Sequence, residues 1–191
     1  METEKVVIIG NQVWMTENLN IDKFLNGETI PQAITTEEWL KAGEDKQPAW
    51  CFYDNDISYG AKYGKLYNWY AVNDPRGLAP AGFHIPSDDE LTILLEYLGG
   101  EQEAGKKLKN TSGWAENGNG TNASRFKGLP GGHRHHNANF YYGDYNCSIW
   151  SSTEDKKTNN AVFYIDLNIY DNVYRNLFSK AAGLSVRCLK N

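Results

Sequence analysis

The segment after residue 86 constrains the fold most, because it carries the signals for both ends of a helix and for its buried face. Ser87 and Glu90 form a capping box, in which each side chain accepts a hydrogen bond from the other residue's backbone N–H. Four leucines follow at the i, i+3, i+4, i+7 spacing of one helical face: Leu91, Leu94, Leu95 and Leu98. Gly99 and Gly100 end the pattern. The segment therefore predicts one amphipathic helix packed on a hydrophobic core.

Shorter elements are predicted in the first half of the chain. The apolar runs at Val6–Ile9 and residues 12–14 flank a glycine–asparagine turn, which predicts a β-hairpin. Thr35 precedes residues 36–42, where it can cap a short helix. Residues 66–72 are predicted as a further helix, because several of their apolar side chains share one helical face.

The second half of the chain changes character. Glycine, asparagine, serine and aromatic residues dominate residues 111–152, a composition typical of long ordered loops. Alternation predicts strands at Ala161–Leu167 and residues 184–188, with residues 173–178 as the middle strand of an antiparallel meander. Together the elements predict a single α+β domain over residues 1–191. It should have short antiparallel sheets, two main helices and long ordered loops.

Charge and hydropathy exclude several classes of partner. The net charge is −5 and the lysines and arginines are scattered, so the positive surface that nucleic acids require is not expected. No apolar run approaches the roughly 20 residues that span a bilayer. Val6–Ile9 is too short for the apolar core of a signal peptide. We therefore expect a soluble protein with no nucleic-acid partner, no transmembrane segment and no signal peptide in this chain.

Six sequence blocks occur in the order of the signature elements of one protein family. They are IGNQVWMTENL at residues 9–19, YGKLYNW at 63–69, PAGFHIPSD at 80–88, LPGGHR at 129–134, WSSTE at 150–154 and SVRC at 185–188. With these blocks the chain resembles the Fibrobacter succinogenes major paralogous domain over nearly its whole length. Phe83 stands in place of a family tryptophan, and Ala79 stands where the family often has a cysteine. Cys188 therefore lacks the disulfide partner that the resemblance would otherwise supply.

The resemblance implies both a fold and a setting. It implies a C-type-lectin-like fold, related to the branch of that fold that contains the formylglycine-generating enzymes. Domains of this family occur mostly on exported envelope proteins and lipoproteins of gut and environmental bacteria, where binding or adhesion is the expected role. The resemblance therefore implies a location in the cell envelope or outside the cell.

Candidate catalytic and metal sites are sparse. His84 could act as a general base, but its place in the turn before the capped helix favours a structural role. The three histidines within residues 133–136 could bind a transition metal, although a solvated loop is the preferred interpretation. Residues 54–56 offer at most a loose calcium site, because the sixth and twelfth positions of an EF-hand are not met. We expect no catalytic residue and no cofactor, with calcium left open as the alternative.

A binding surface is the function that the sequence favours. The candidate residues are rich in tyrosine and asparagine, as binding loops are: Trp150, Tyr170, Asp171, Asn172, Tyr174, Arg175, Asn176 and Phe178. Residues 133–142 are expected beside them. The rings would stack on a sugar or fill a protein pocket, and Arg175 would pair with an anionic group of the ligand. Two alternatives stay open: a structural component that self-assembles at the surface, and an enzyme of the formylglycine-generating type, which would need a reactive thiol.

Overall fold

The structure is a computed structural model that describes residues 5–158 and 160–191. Within these residues it contains five α-helices: α1 Thr36–Glu44, α2 Ile57–Tyr63, α3 Trp69–Val72, α4 Asp88–Tyr97 and α5 Glu101–Leu108. Its strands are β1 Val6–Ile9, β2 Gln12–Met15, β3 Trp50–Cys51, β4 Leu66–Asn68, β5 Phe83–His84, β6 Gly131–Arg134, β7 Phe140–Gly143, β8 Cys147–Glu154, β9 Ala161–Leu167, β10 Val173–Ser179, β11 Gly183–Leu184 and β12 Leu189–Lys190. The predicted α+β class is confirmed. None of these helices is long and apolar enough to cross a bilayer.

The strands form two sheets. The larger sheet has the order β10-β9-β8-β6-β11-β4-β3, with β7 paired to β6, and the smaller has the order β1-β2-β12-β5. The strand pairs described here are antiparallel, apart from β6 and β8, which run parallel. Short antiparallel sheets are therefore confirmed, with one parallel pair that the sequence did not indicate.

Helix α4 follows the predicted pattern closely. Both hydrogen bonds of the capping box between Ser87 and Glu90 are present. The four predicted leucines are buried, and they pack in one cluster with Ile149 of β8 and Ile165 of β9. Because α4 covers these strands, only the opposite face of β8 and β9 is open for a binding site.

Several local predictions were wrong. Residues 66–68 form strand β4, and helix α3 begins only after Asn68, whose side chain accepts hydrogen bonds from the backbone N–H groups of Ala71 and Ala49. The prediction of two main helices was incomplete, because it did not include α2 and α5. In α5 the interior Gly105 weakens the helical pattern, yet it is required, since a Cβ there would lie 2.5 Å from the carbonyl oxygen of Asp171.

The topology of the C-terminal strands also differs from the prediction. β9 and β10 pair antiparallel as expected, but β10 is the edge of the larger sheet and not the middle of a meander. β11 lies on the far side of β6. Residues 184–188 are buried without alternation, including Ser185 and Arg187. Within residues 111–152, predicted as loop, the chain also forms β6, β7 and most of β8.

Among the described residues, three cationic side chains are at most 1% exposed: Lys109, Arg134 and Arg187. In the described part of the chain they meet carbonyl or amide oxygens and aromatic rings in place of carboxylates. Lys109 Nζ donates to the carbonyl oxygens of Asn168 at 2.9 Å and Tyr170 at 2.5 Å, and burial lowers the pKa of this lysine. These bonds fix the turn between β9 and β10.

A candidate aromatic binding pocket

The outer face of strands β8 to β10 carries polar and aromatic side chains. Ser148 lies opposite Asp166, and Asp166 lies opposite Tyr174, so all three point to the same face of the sheet. The alternate residues, such as Ile149 and Ile165, point into the core beneath α4. Because successive side chains of a strand point to opposite faces of the sheet, one face packs on the core and the other is available to a ligand.

A pocket of about 400 Å³ lies between this outer face and the hairpin of β6 and β7. Its lining is made of aromatic, histidine and small polar side chains: His133, His135, Tyr141, Tyr142, Asn146, Ser148, Tyr164, Asp166 and Phe178. Concave sites lined by rings with a few polar groups are the usual form of small-ligand sites in proteins. The volume suits a single small group, such as one sugar or one head group.

The ring of Phe178 stands at steep angles to three neighbouring rings of the pocket. Phe178 is the central ring, with centroid distances of 5.1 Å to His133, 5.3 Å to Tyr164 and 5.7 Å to His135. The interplanar angles of these three pairs are 72°, 74° and 89°. Edge-to-face packing of this kind is favourable for aromatic pairs. This packing holds the rings in place, so that they form the walls of the pocket.

Asp166 is a buried carboxylate in the lining of the pocket. Ser148 Oγ donates a hydrogen bond to its Oδ1 at 2.6 Å, and Asn146 Nδ2 donates to its Oδ2 at 2.5 Å. Neither donor is charged, and no lysine or arginine of the described residues lines the pocket or pairs with Asp166. Burial accordingly raises the pKa of Asp166 to about 6, against the two hydrogen bonds, which lower it.

His133 is the second buried polar group of the pocket. Its side chain is almost fully covered, and within residues 5–158 and 160–191 its Nδ1 has no hydrogen-bond partner. Burial, and secondarily the nearby His135, lowers the pKa of His133 to about 4, so the imidazole is neutral near pH 7. A buried polar atom left without a partner costs about 1–3 kcal/mol.

The wall formed by Tyr141 and Tyr142 depends on an unusual backbone conformation. Neighbouring residues of a regular strand point to opposite faces, yet both tyrosines line the pocket. Tyr142 has a φ of 59°, and Gly132 of β6, which lies between two residues paired with β7, has a φ of 61°. A left-handed φ is strained for a bulky residue, and such strain is concentrated at functional sites.

This strain can be measured by substitution. We expect Tyr142→Gly to be more stable than Tyr142→Ala by about 1 kcal/mol, although glycine ordinarily weakens a strand. Both variants lose the ring, so only the backbone term differs between them. Urea unfolding of the two variants measures the difference. An alanine variant as stable as the glycine variant would show that the left-handed conformation carries no strain.

The eight residues predicted for the binding surface do not form one surface. Phe178 lines the pocket, and Tyr174 and Asn176 are exposed on the same face of β10. Trp150 is fully buried behind Phe178 and donates from Nε1 to the Tyr67 carbonyl at 2.8 Å. Trp150 therefore presents no exposed surface in this structure to the ligand that the sequence predicted it would contact.

The other four predicted residues lie elsewhere. Arg175 points to the opposite face, where its Nη2 pairs with Asp88 at 2.5 Å, so its expected anionic partner is a residue of this chain. Tyr170, Asp171 and Asn172 lie in the turn that precedes β10, at the far end of that strand from Phe178. Asp171 is paired there with Lys106 of α5 at 3.0 Å.

Sequence reasoning missed four lining residues, while the predicted neighbouring segment, residues 133–142, contributes four others. The missed residues are Asn146, Ser148, Tyr164 and Asp166. One signal was present. Asp166 is the one charged residue in the otherwise uncharged strand Ala161–Leu167, and a carboxylate in such a strand is unusual unless it is exposed or functional.

The other candidate sites have structural partners. His84 Nε2 bonds to Glu90 and its Nδ1 to Asn191, at 2.8 and 2.7 Å. Asp56 caps α2 by accepting from the Ser58 N–H at 2.8 Å. In the described residues, no three histidine, cysteine or acidic side chains are grouped so that they could hold a metal ion.

The cysteines are equally enclosed. Cys51, Cys147 and Cys188 are buried and unpaired in the described chain. Burial raises the pKa of each thiol to about 12. Because the thiolate is the nucleophilic form, these cysteines are unreactive near neutral pH.

Comparison with known families gives one match. The model of the Fibrobacter succinogenes major domain matches residues 7–190. No curated protein and no solved structure matches the chain significantly.

Proposed function

The chain belongs to the Fibrobacter succinogenes major domain family, and from this premise we propose that it is a non-catalytic recognition domain whose ligand occupies the aromatic pocket. The pocket itself is the observation that carries the proposal. It combines aromatic walls with the buried polar groups Asp166 and His133, and it is built largely on strands. Sites held by regular elements keep their geometry better than sites held by loops.

A carbohydrate is the first ligand to test. A sugar ring has apolar faces that stack on aromatic side chains and hydroxyl groups that require directional hydrogen bonds. Tyr164 and Phe178 supply rings, and Asn146 and Ser148 supply polar groups beside them. A protein ligand that inserts one side chain would use the same features, and it is the outcome to pursue if no glycan binds.

A non-catalytic role is supported by the state of the potential catalytic groups. An enzyme of the formylglycine-generating type needs a reactive thiol, and the thiols are buried with raised pKa values. His84 is engaged on both ring nitrogens by Glu90 and Asn191. These features favour binding over catalysis.

The finer fold and the location belong to the same proposal. We infer a C-type-lectin-like fold, supported by the short sheets, the long connecting segments and the pairing of β12 with β2. We infer a place in the bacterial envelope or outside the cell, as the family resemblance implies. Superposition of a crystal structure on lectin-like domains tests the first inference, and cell fractionation tests the second.

The binding proposal is tested with a glycan array, probed with the labelled protein in calcium and again in EDTA. We expect Tyr142→Ala to weaken binding by about tenfold or more, because a ring that fills a pocket contributes at least about 1.4 kcal/mol. Tyr170→Ala is the matched control. Tyr170 is exposed to a similar extent, 65% against 58%, but lies in the turn away from the pocket.

The outcomes separate the possibilities. Equal loss in both variants, or loss in Tyr170→Ala alone, would move the site from the pocket to the turn before β10. A blank array in both buffers would exclude a carbohydrate among the glycans displayed. Binding that disappears only in EDTA would assign a calcium requirement.

A further inference from the structure

The pocket contains a negative charge without a positive partner. Asp166 is only 7% exposed, and its two hydrogen-bond donors, Ser148 and Asn146, are neutral. Among the described residues, its carboxylate makes no ion pair. A buried carboxylate is ordinarily compensated by a cation or by protonation. Burial raises the pKa of Asp166 to about 6, so near pH 7 the carboxylate is mostly ionised and is stabilised by these two neutral donors.

The walls of the pocket suit a cation as well. Four aromatic side chains line the same pocket as Asp166: Tyr141, Tyr142, Tyr164 and Phe178. Aromatic faces attract cations through the ring quadrupole, and the attraction is strongest where water is excluded. A group of aromatic rings with a carboxylate is the arrangement that recognises alkylated ammonium groups.

We propose that the group bound in this pocket is an organic cation, specifically an alkylated ammonium such as the trimethylammonium head of choline. The inference rests on the proposed function, because it specifies the charge of the ligand in the same pocket. The head group can belong to a free small molecule or to a choline-substituted glycan, and both present the same chemistry to Asp166.

An alkylated ammonium fits the hydrogen-bonding capacity of the pocket better than a primary ammonium does. A primary ammonium carries three donors that all require acceptors when buried. Each oxygen of Asp166 already accepts one hydrogen bond. An alkylated ammonium has few donors or none, and its methyl groups contact ring faces directly.

The experiment compares choline with its neutral carbon isostere, dimethylbutanol, by calorimetric titration of the whole protein at about pH 8, where Asp166 is ionised. The two probes have the same shape, so any difference in affinity reports the charge. We expect choline to bind about tenfold or more tightly than dimethylbutanol, and more tightly than ethanolamine, the primary amine. Phosphocholine-bearing glycan conjugates distinguish a glycan source from a free small molecule.

Two variants locate the charge effect. Asp166→Asn keeps the shape and removes the charge, so we expect it to weaken choline binding by about tenfold and to leave dimethylbutanol binding within about twofold. Asp171→Asn is the matched control, because Asp171 is an exposed carboxylate in the turn before β10. It should change neither affinity. Circular dichroism confirms that both variants are folded.

The wild-type comparison alone can overturn the inference, even if Asp166→Asn fails to fold. Equal binding of choline and dimethylbutanol would show an apolar pocket without charge selection. Binding of neither probe, with a neutral glycan bound in a Tyr142-dependent manner, would overturn the cation and leave the proposed function standing. If neither probe binds and no glycan binds, both the cation inference and the proposed function are overturned.

Discussion

Replacing Arg187 with methionine is expected to lower the free energy of unfolding by about 3–5 kcal/mol. The guanidinium is 1% exposed. It donates from Nε and Nη2 to Asn18 Oδ1 at 3.0 and 2.6 Å, and from Nη1 to the carbonyl oxygens of Met15 and Phe126 at 3.2 and 2.6 Å. Methionine fills much of the same volume but leaves these three acceptors without a donor. The Phe126 carbonyl would then be buried and unsatisfied, and the part-buried oxygens of Met15 and Asn18 would lose this donor.

The effect is large because Arg187 joins distant parts of the chain. Met15 ends β2, Phe126 lies in the segment that follows α5, and Arg187 lies between β11 and β12. Its guanidinium also packs 4.4 Å from the ring centre of Phe126. Urea unfolding measures the loss of stability. Arg125→Met is the control, because Arg125 is exposed and its loss should change stability by less than about 0.5 kcal/mol. Equal effects of the two substitutions would contradict the assigned role.

The second large effect is a pH dependence that originates in Asp166. Its folded-state pKa of about 6 lies above its ordinary value, so the folded protein holds this proton more tightly than the unfolded chain does. The resulting stabilisation is complete below about pH 4 and is lost as the pH rises through about 6. Relative to Asp166→Asn, the wild type should therefore lose about 2–3 kcal/mol of stability between about pH 4 and about pH 7.

The comparison with Asp166→Asn is essential, because His133 acts in the opposite direction. The pKa of His133 is lowered to about 4, so its contribution is present above the ordinary histidine pKa and is lost as the pH falls. In the wild type the two groups partly cancel. The difference between wild type and variant, measured by urea unfolding at several pH values, isolates the carboxyl group. A difference that is flat across this range would show that Asp166 titrates normally.

Helix α4 and the hairpin of β1 and β2 could be predicted because their signals are local. The capping box of Ser87 and Glu90 and the leucine stripe lie within a dozen consecutive residues. The same is true of the glycine–asparagine turn after Ile9, where Gly10 has the expected positive φ of 63°. Elements whose residues interact with near neighbours in sequence can be recognised without knowledge of the rest of the chain.

The pocket could not be predicted, because it depends on pairings between distant segments. Asp166 faces Ser148 only in the register of β8 with β9, and a shift by one residue would have turned it into the core. Tyr142 reaches the pocket only through a positive φ that its residue type disfavours. Composition correctly drew attention to the aromatic residues of the second half, but it could not assign Trp150 to the core and Tyr164 to the pocket.

The position of β12 also determines when the chain can fold. β12 lies between β2 and β5, with Leu189 paired to both Trp14 and His84. The smaller sheet therefore needs residues that are about as far apart in sequence as this chain permits. Contacts between residues that are far apart in sequence form late and slow the folding of a domain. A chain emerging from the ribosome keeps the partner edges of β2 and β5 open until residue 189 has been synthesised, so folding is completed after translation of the domain and not during it.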